Sequence, residues 1–174
     1  LEVNEKGEIV VSVPLQPETD NVHMQTRMAR KLRNGNYLVP HLFAFAVKEY
    51  DPSGKIVQVF KTDLPELGGR EAKNWPFTAI RLKNGNTLIG LTRGNKVVEM
   101  NKKGKVVWKL TNDDLDQHPI KDACGVQRLR NGNTVIASYG AKEGIKLFEV
   151  NRKKKLIWSY AGYRVHHFQV LSTN

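Results

Sequence analysis

The sequence predicts an all-β protein, a β-propeller built from four-stranded antiparallel blades. Two turn motifs that recur along the 174 residues carry this prediction. Asn-Gly-Asn triplets begin at Asn34, Asn84 and Asn131, so the repeat period is 50 and then 47 residues. Repeats of this length are typical of solenoids, propellers and other arrays. A second turn motif recurs with a similar period and ends at Gly7, Gly54, Gly104 and Lys154.

Each repeat unit is predicted to contain four strands joined by these turns. Asn-Gly between apolar runs predicts a hairpin with a type I′ turn, which needs φ > 0 at both central positions. The second turn is predicted to be a type I turn with a left-handed residue, which costs about 1 kcal/mol at Lys154, where glycine is missing. Successive apolar residues, as in Val106–Trp108, indicate a sheet that is covered on both faces. A repeated four-stranded sheet of this kind is a propeller blade.

The repeats divide the chain into three complete blades and two unmatched ends. The complete blades are predicted at residues 24–61, 75–110 and 122–160. Residues 1–15 supply half a blade, and residues 165–174 supply the first strand of a further blade. Propellers typically have about 4 to 8 blades, so about 3.5 blades cannot close a ring. We therefore expect an incomplete ring that is an excerpt of a longer chain, or alternatively one that a second copy closes as a homodimer.

Composition and charge limit the kinds of partner that this protein could have. The formal net charge is +11, but many of the cations lie in the predicted turns. There their side chains are expected to be solvated and to protect the strand edges from pairing with other chains. A nucleic-acid site would instead be a continuous basic groove with aromatic residues, which the sequence does not show. No apolar run has the roughly 18 to 20 residues that a membrane helix needs. Cys124 is the one cysteine and is expected to be a buried, inert thiol.

One pair of segments resembles a known repeat family. Arg81–Gly90, followed by Val97–Trp108, resembles the repeats of bacterial PQQ-like β-propellers and of the related arylsulfotransferase-type propellers. The resemblance implies the propeller fold and an exported bacterial protein, periplasmic or extracellular. It implies no particular function, because the same repeats occur in enzymes and in assembly scaffolds. No catalytic residue or cofactor is carried over from it, and the cofactor is left unknown.

Propeller topology identifies one face as the place for binding. The segments that lead into the first strands and the loops between second and third strands open on the same face, and they are long and varied. Varied loops on a rigid scaffold commonly carry binding sites. The candidate ligand-binding residues on this loop-rich face are Arg27, His41, Trp75, Arg93, His118, Asp122, Tyr139, Arg164, His166 and His167.

Several of these candidates could have a purely structural role instead of binding a ligand. His166 and His167 are neighbours at the start of a predicted channel strand, so at most one of them should point into the channel. Trp75 precedes Pro76 and is more simply an anchor for its loop. His118 and Asp122 are four residues apart and could form either a reactive pair or an ordinary turn network. No His-x-x-x-His or Cys-x-x-Cys spacing indicates a metal site.

The residue types on this face support two functions. The first is a noncatalytic propeller that binds a polar or anionic small molecule, a sugar or a protein, since Arg pairs with anionic groups and aromatic rings stack. The alternative is an enzyme, such as a sulfotransferase, a polysaccharide lyase or a quinone-type oxidoreductase. In that case His118, His166 or His167 would be acid or base beside Arg27 or Arg93, gathered within about 3 to 4 Å of a common ligand atom.

Overall fold

The fold consists of four antiparallel sheets that follow one another along the chain. A computed structural model describes residues 1–171 of the protein. The first sheet has two strands, β1 (Glu2–Val3) and β2 (Ile9–Val11), and each of the next three sheets has four strands. Within every sheet the strands are hydrogen-bonded in chain order, so each sheet is a meander. This all-β, blade-like architecture confirms the predicted fold class.

The three four-stranded sheets are the full blades of the fold. The first full blade contains β3 (Arg30–Lys31), β4 (Tyr37–His41), β5 (Ala46–Tyr50) and β6 (Ile56–Lys61). The second contains β7 (Pro76–Arg81), β8 (Thr87–Leu91), β9 (Lys96–Met100) and β10 (Val106–Leu110). The third contains β11 (Ala123–Arg128), β12 (Thr134–Ser138), β13 (Leu147–Val150) and β14 (Leu156–Tyr160). Short 3₁₀ helices lie between sheets at Val22–Met24, Pro65–Leu67 and Asn112–Asp114.

The Asn-Gly hairpins differ from the predicted type I′ turn. In the first of them, Gly35 N donates to Leu32 O, and Leu32 N donates to Asn36 O. Gly35 has φ +87°, whereas Asn34 is not among the residues with positive φ. The turn is therefore a type I turn followed by a left-handed glycine bulge. Asn34 is favoured because its side-chain oxygen accepts a bond from Asn36 N at 3.1 Å.

The second turn motif forms as predicted, including its exception. Gly54 N donates to Asp51 O, and Gly54 has φ +87°. Lys154 takes the same left-handed conformation without being glycine, with φ +65°. Its ammonium group lies 2.7 Å from an Asp114 oxygen, so the side chain that causes the backbone strain also bonds to the loop that enters its own blade.

The hydrophobic core lies between the blades. Leu88 and Ile89 are neighbours on β8, and both are fully buried. Ile89 packs in the cluster between the first and second full blades with Phe60, whereas Leu88 packs between the second and third with Phe148. Because adjacent residues of a strand face opposite sides, the middle blade is buried on both faces, as the successive apolar residues predicted.

The first strands of consecutive blades lie side by side along a common axis. Met28, just before β3, forms a parallel bridge with Thr78 of β7. The Thr78 hydroxyl in turn donates to the carbonyl oxygen of Cys124 on β11. Gly90 keeps this spacing, since a Cβ there would lie 3.0 Å from Ala123 O. The blades are thus arranged radially around these strands.

A ladder of ion pairs joins neighbouring sheets at equivalent repeat positions. Each pair connects a glutamate two residues before the second turn motif, in the outer hairpin formed by the last two strands of a sheet, to a basic residue on the first strand of the next blade. The pairs are Glu2–Lys31 at 2.6 Å, Glu49–Arg81 at 2.6 Å and Glu99–Arg128 at 3.0 Å. The last two glutamates are buried, which makes their pairing important, because an unpaired buried charge is costly.

The Asn-Gly-Asn turns hold two of these glutamates, and the equivalent Glu149 of the third full blade, in place. The second asparagine of each triplet donates to a carboxylate in its own blade: Asn36 to Glu49 at 2.7 Å, Asn86 to Glu99 at 2.8 Å and Asn133 to Glu149 at 2.6 Å. The triplet is therefore a turn and also a support for the inter-blade ladder. This second role explains why asparagine, rather than another turn residue, follows each glycine.

The chain after β14 differs from the predicted first strand at residues 165–174. Val165–Leu171 contains no strand, and residues 172–174 lie outside the described residues. A strand needs a hydrogen-bonded neighbour, and no second strand pairs with this segment in the described part of the chain. It lies beside β11 instead, where the Gln127 side chain makes two hydrogen bonds to the backbone of Val170, at 3.0 and 2.9 Å. The grouping of the sheets into a partial ring remains a prediction.

Candidate functional site

The candidate site lies where the first strands begin, on the loop-rich face. Arg27, Phe77 and Cys124 occupy the same repeat position, 50 and 47 residues apart. The Arg27 guanidinium carbon lies 5.5 Å from the centre of the Phe77 ring. We call the cluster around this point the axial mouth, and its members are Arg27, Phe77, Tyr139, Arg164, His166 and His167.

The segment after β14 brings three of these side chains to the mouth. Arg164 donates from Nε to the carbonyl oxygen of Tyr139 at 2.6 Å, and its guanidinium carbon stacks 3.8 Å from the centre of the Tyr139 ring. The His166 ring lies edge-on between Tyr139, at 4.5 Å, and Phe77, at 4.9 Å. Gly125 allows this approach, because a Cβ there would lie 3.0 Å from the Phe168 ring and 3.2 Å from His166 O.

Both histidines lie in the mouth, contrary to the expectation that only one would. The His167 ring lies 5.7 Å from Phe77, and the two Nδ1 atoms are 2.5 Å apart. The expectation assumed a regular strand, and this segment is not a strand, so its side chains do not alternate. One imidazole must donate and the other accept across the short contact, which keeps at least one ring neutral.

The surroundings favour the neutral imidazole in each case. Burial lowers the pKa of His166, and the positive charges of Arg27 and Arg164 lower it further. Burial also lowers the pKa of His167, followed by the charges of His166 and Arg30. At neutral pH the mouth therefore holds neutral imidazoles next to guanidinium groups that stay charged.

The two guanidinium groups of the mouth have no carboxylate partner among residues 1–171. Arg27 donates to the carbonyl oxygen of Thr26 at 2.9 Å, and Arg164 to that of Tyr139. Arg27 is half-buried, and its partial desolvation lowers its pKa. Guanidinium groups without a counter-ion attract anions, and more strongly where, as at Arg27, they are partly desolvated.

Cys124 and Asp122 lie at the start of β11, the first strand of the third full blade. The thiol of Cys124 is buried as expected, and its burial raises its pKa to about 12, so it is protonated and is a poor nucleophile. Asp122 accepts from the Thr92 hydroxyl at 3.3 Å, and its backbone N–H donates to Asn95 at 2.8 Å. Asp122 thus ties the second and third blades together.

Four predicted site residues lie away from the axial mouth. His41 is completely buried and bonds to Glu18 at 3.0 Å and to the Tyr50 hydroxyl at 2.9 Å. Trp75 packs against Phe43 with ring centres 5.6 Å apart. Arg93 and His118 are exposed, and His118 lines a separate small cavity of about 210 Å³. His118 and Asp122 are not hydrogen-bonded to each other among the described contacts.

Sequence reasoning missed Phe77, which contacts three of the other five members of the mouth. A signal was available, since Phe77 stands at the repeat position of Arg27 and Cys124. No cluster of three or more His, Cys, Asp or Glu residues with metal-binding geometry occurs within residues 1–171. The mouth is therefore described by cations, imidazoles and aromatic rings.

Comparison with protein families decides what kind of propeller this is. The profile of the Mal s 1 allergenic protein-like family matches residues 4–115, which is more than half of the chain. The chain belongs to this Mal s 1-like family. The resemblance to PQQ-like and arylsulfotransferase-type propellers is confirmed only as far as the propeller fold. No curated protein sequence matches the chain.

Solved structures support the fold of this Mal s 1-like chain. A Bacteroides caccae protein of unknown function aligns with a TM-score of 0.78 at 24% identity, over 92% of this chain and 58% of its own. Virginiamycin B lyase from Staphylococcus aureus aligns with a TM-score of 0.57 at 15% identity, over 80% and 42% of the two chains. The extracellular domain of a Bacteroides thetaiotaomicron protein aligns with a TM-score of 0.52 at 14% identity, over 84% and 18%.

These alignments also describe relative length. The Mal s 1-like chain spans 58% of the Bacteroides caccae protein and 42% of the lyase. At these identities the similarity concerns the fold and not the activity. Within the described residues, no helix is both long and apolar enough to cross a membrane.

Proposed function

We propose that this protein is a noncatalytic binding propeller that holds a polar, anionic ligand at its axial mouth. The observation that carries the proposal is geometric: Arg27 lies over Phe77 and Arg164 over Tyr139, the two rings that flank His166, and neither arginine has a carboxylate partner among the described residues. A carboxylate or sulfate group of a ligand, or an acidic side chain of a protein, would supply the missing counter-charge. Phe77 and Tyr139 would border the apolar part of such a ligand.

Substitution of either arginine tests this proposal. We expect Arg27→Gln and Arg164→Gln each to weaken the binding of glucuronate, used as a probe, by about 10- to 100-fold, because each removes one charge-assisted hydrogen bond. Isothermal titration calorimetry with glucose as the neutral comparison measures the effect.

Arg93→Gln provides the matched control. Arg93 lies in a loop predicted to open on the same face and is exposed, so its loss changes net charge equally without touching the mouth. We expect its affinity for glucuronate to equal that of the wild type. An equal loss in all three variants, or no binding by the wild type, would refute the proposal.

The contacts of the histidines favour binding over the enzymatic alternative. The Nδ1 atoms of His166 and His167 face each other, and neither Arg93 nor His118 belongs to the mouth. A sulfotransferase, polysaccharide lyase or quinone-type oxidoreductase would need an acid or base directed at a substrate atom. Catalytic turnover of a sulfated or polysaccharide substrate by the wild type, lost in a His166→Gln variant, would support the enzymatic alternative instead.

We further propose that another blade covers the third full blade, supplied by additional chain or by a second copy. At the corresponding positions Glu99 is paired and Trp108 is 9% exposed, whereas Glu149 has no ion pair among residues 1–171 and Trp158 is 48% exposed. The first strand of a further blade, with Arg or Lys at the position of Arg128, would pair with Glu149, and that blade would cover Trp158.

We propose an exported bacterial protein, periplasmic or extracellular. The support is the fold that it shares with the extracellular domain from Bacteroides thetaiotaomicron. Alkaline phosphatase is active only outside the cytoplasm, so a fusion of this enzyme to the product of the complete gene tests the localisation: an active fusion would support export, and an inactive one would contradict it.

A further inference from the structure

A second cleft opens among the Asn-Gly turns of the first two full blades. Its volume is about 590 Å³, within the range of about 300 to 1,000 Å³ that is usual for small-molecule sites. Leu32, Ile80 and Leu82 contribute apolar surface. Most of the residues that line it come from β3 and β7 and from the turns that follow them, and Glu49, Gln58 and Lys102 add the outer strands and turns of the same two blades.

The cleft is strongly basic. Six cationic residues line it together with a single carboxylate, that of Glu49. This carboxylate is already bound by Arg81 at 2.6 Å, and Lys31 is bound by Glu2 at 2.6 Å. The other four cations have no ion pair among the described residues, and they are Arg30, Arg33, Lys83 and Lys102.

These four cations come from one strand and three separate turns. Arg30 lies on β3, Arg33 and Lys83 precede the first two Asn-Gly turns, and Lys102 lies in the outer hairpin of the second full blade. The Lys102 side chain crosses directly over Gly85, where a Cβ would lie 2.6 Å from its Cε atom. Solvated turn lysines normally point away from one another, because like charges repel. Here they line one concave surface.

We propose that this cleft binds a small molecule that carries several phosphate or sulfate groups. A polyvalent oxyanion would neutralise the four unpaired cations at once. The two guanidinium groups can each bind an oxyanion through two parallel hydrogen bonds, and the two ammonium groups can act as point charges. This site shares no residue with the axial mouth.

Charge-matched double variants test the cleft. We expect the wild type to bind tripolyphosphate saturably in isothermal titration calorimetry. Arg33→Gln combined with Lys83→Gln removes two cleft cations that are exposed, and we expect the affinity to fall at least about tenfold. Sucrose octasulfate in a parallel titration shows whether sulfate groups are accepted as well as phosphate groups.

The control removes the same charge from turns outside the cleft. Arg130 stands at the repeat position of Arg33 and Lys83, and Lys103 is the neighbour of Lys102, but neither lines the cleft. We expect Arg130→Gln combined with Lys103→Gln to keep wild-type affinity for tripolyphosphate. Equal losses in both double variants, or no saturable binding of either probe by the wild type, would overturn the proposal.

Discussion

Replacement of Glu99 by alanine is expected to lower the free energy of unfolding by about 3 to 4 kcal/mol. The Glu99 carboxylate is 2% exposed and accepts bonds from Arg128 at 3.0 Å and Arg152 at 2.6 Å. Its removal leaves the largely buried Arg128 guanidinium without a counter-charge and the Asn86 side chain without its acceptor. Urea unfolding at pH 7 of the variant and the wild type measures the difference.

Glu149→Ala provides the control for this prediction. Glu149 is the equivalent residue of the next blade, yet among residues 1–171 it bonds only to Asn133, so we expect a loss of about 1 kcal/mol or less. Comparable losses in the two variants would show that the ladder does not stabilise the blades.

The pH dependence of the Glu99 contribution follows from its pKa. Burial raises this pKa, but hydrogen bonds from Asn86 and Arg152 and the charges of Arg128 and Arg152 outweigh burial, so the pKa lies below its usual value of 4.5. A lowered pKa means that the stabilisation is complete above the unfolded-state value and is lost as the pH falls through the folded-state value. The difference between wild type and Glu99→Ala should therefore shrink below pH 4.5.

Replacement of Trp108 by alanine is expected to cost about 3 to 5 kcal/mol, the usual range for a buried aromatic residue. The Trp108 ring is 9% exposed and packs in the cluster between the second and third full blades. Arg128 and Arg152 lie over the ring at 5.2 and 5.3 Å, and its Nε1 donates to Arg152 O at 3.2 Å. Thermal and urea unfolding provide the measurement.

The same substitution one repeat later gives the comparison. Trp158 stands at the equivalent position but is 48% exposed, so Trp158→Ala should cost about 2 kcal/mol, in proportion to the smaller area that it buries. If Trp158→Ala were as costly as Trp108→Ala, the packing between the blades would not explain the stability of the fold.

The sequence repeat predicted the sheets because it marks their turns. Glycine and local hydrogen bonds determine each turn within a few residues, so the turns can be located without knowledge of the tertiary structure. The left-handed conformation of Lys154 followed from its place in the repeat, although lysine disfavours that conformation. The type I′ assignment of the Asn-Gly turns was wrong, because the asparagine bonds to Asn36 N and does not need a positive φ. The Glu–Arg ladder was visible as a repeated spacing, but its pairing depends on contacts between blades.

The site was predicted less completely than the fold. Topology alone placed Arg27, Tyr139, Arg164, His166 and His167 on one face, and these residues do meet. The same reasoning included His41, which is buried with Glu18 and Tyr50 because burial depends on packing beyond the strand's own sequence. The alternation expected for His166 and His167 failed because Val165–Leu171 has no strand partner among the described residues.

Measuring the pKa of His166 tests the proposed arrangement of the axial mouth most directly. We expect ¹H–¹³C NMR titration to show the pKa of His166 below 6.5 in the wild type and raised in both Arg27→Gln and Arg164→Gln, because burial and the two guanidinium charges lower it. The titration of His41, whose pKa depends on burial, Glu18 and Lys48, should not change. A pKa of His166 that is the same in the wild type and both variants would contradict the convergence of the two arginines on this residue.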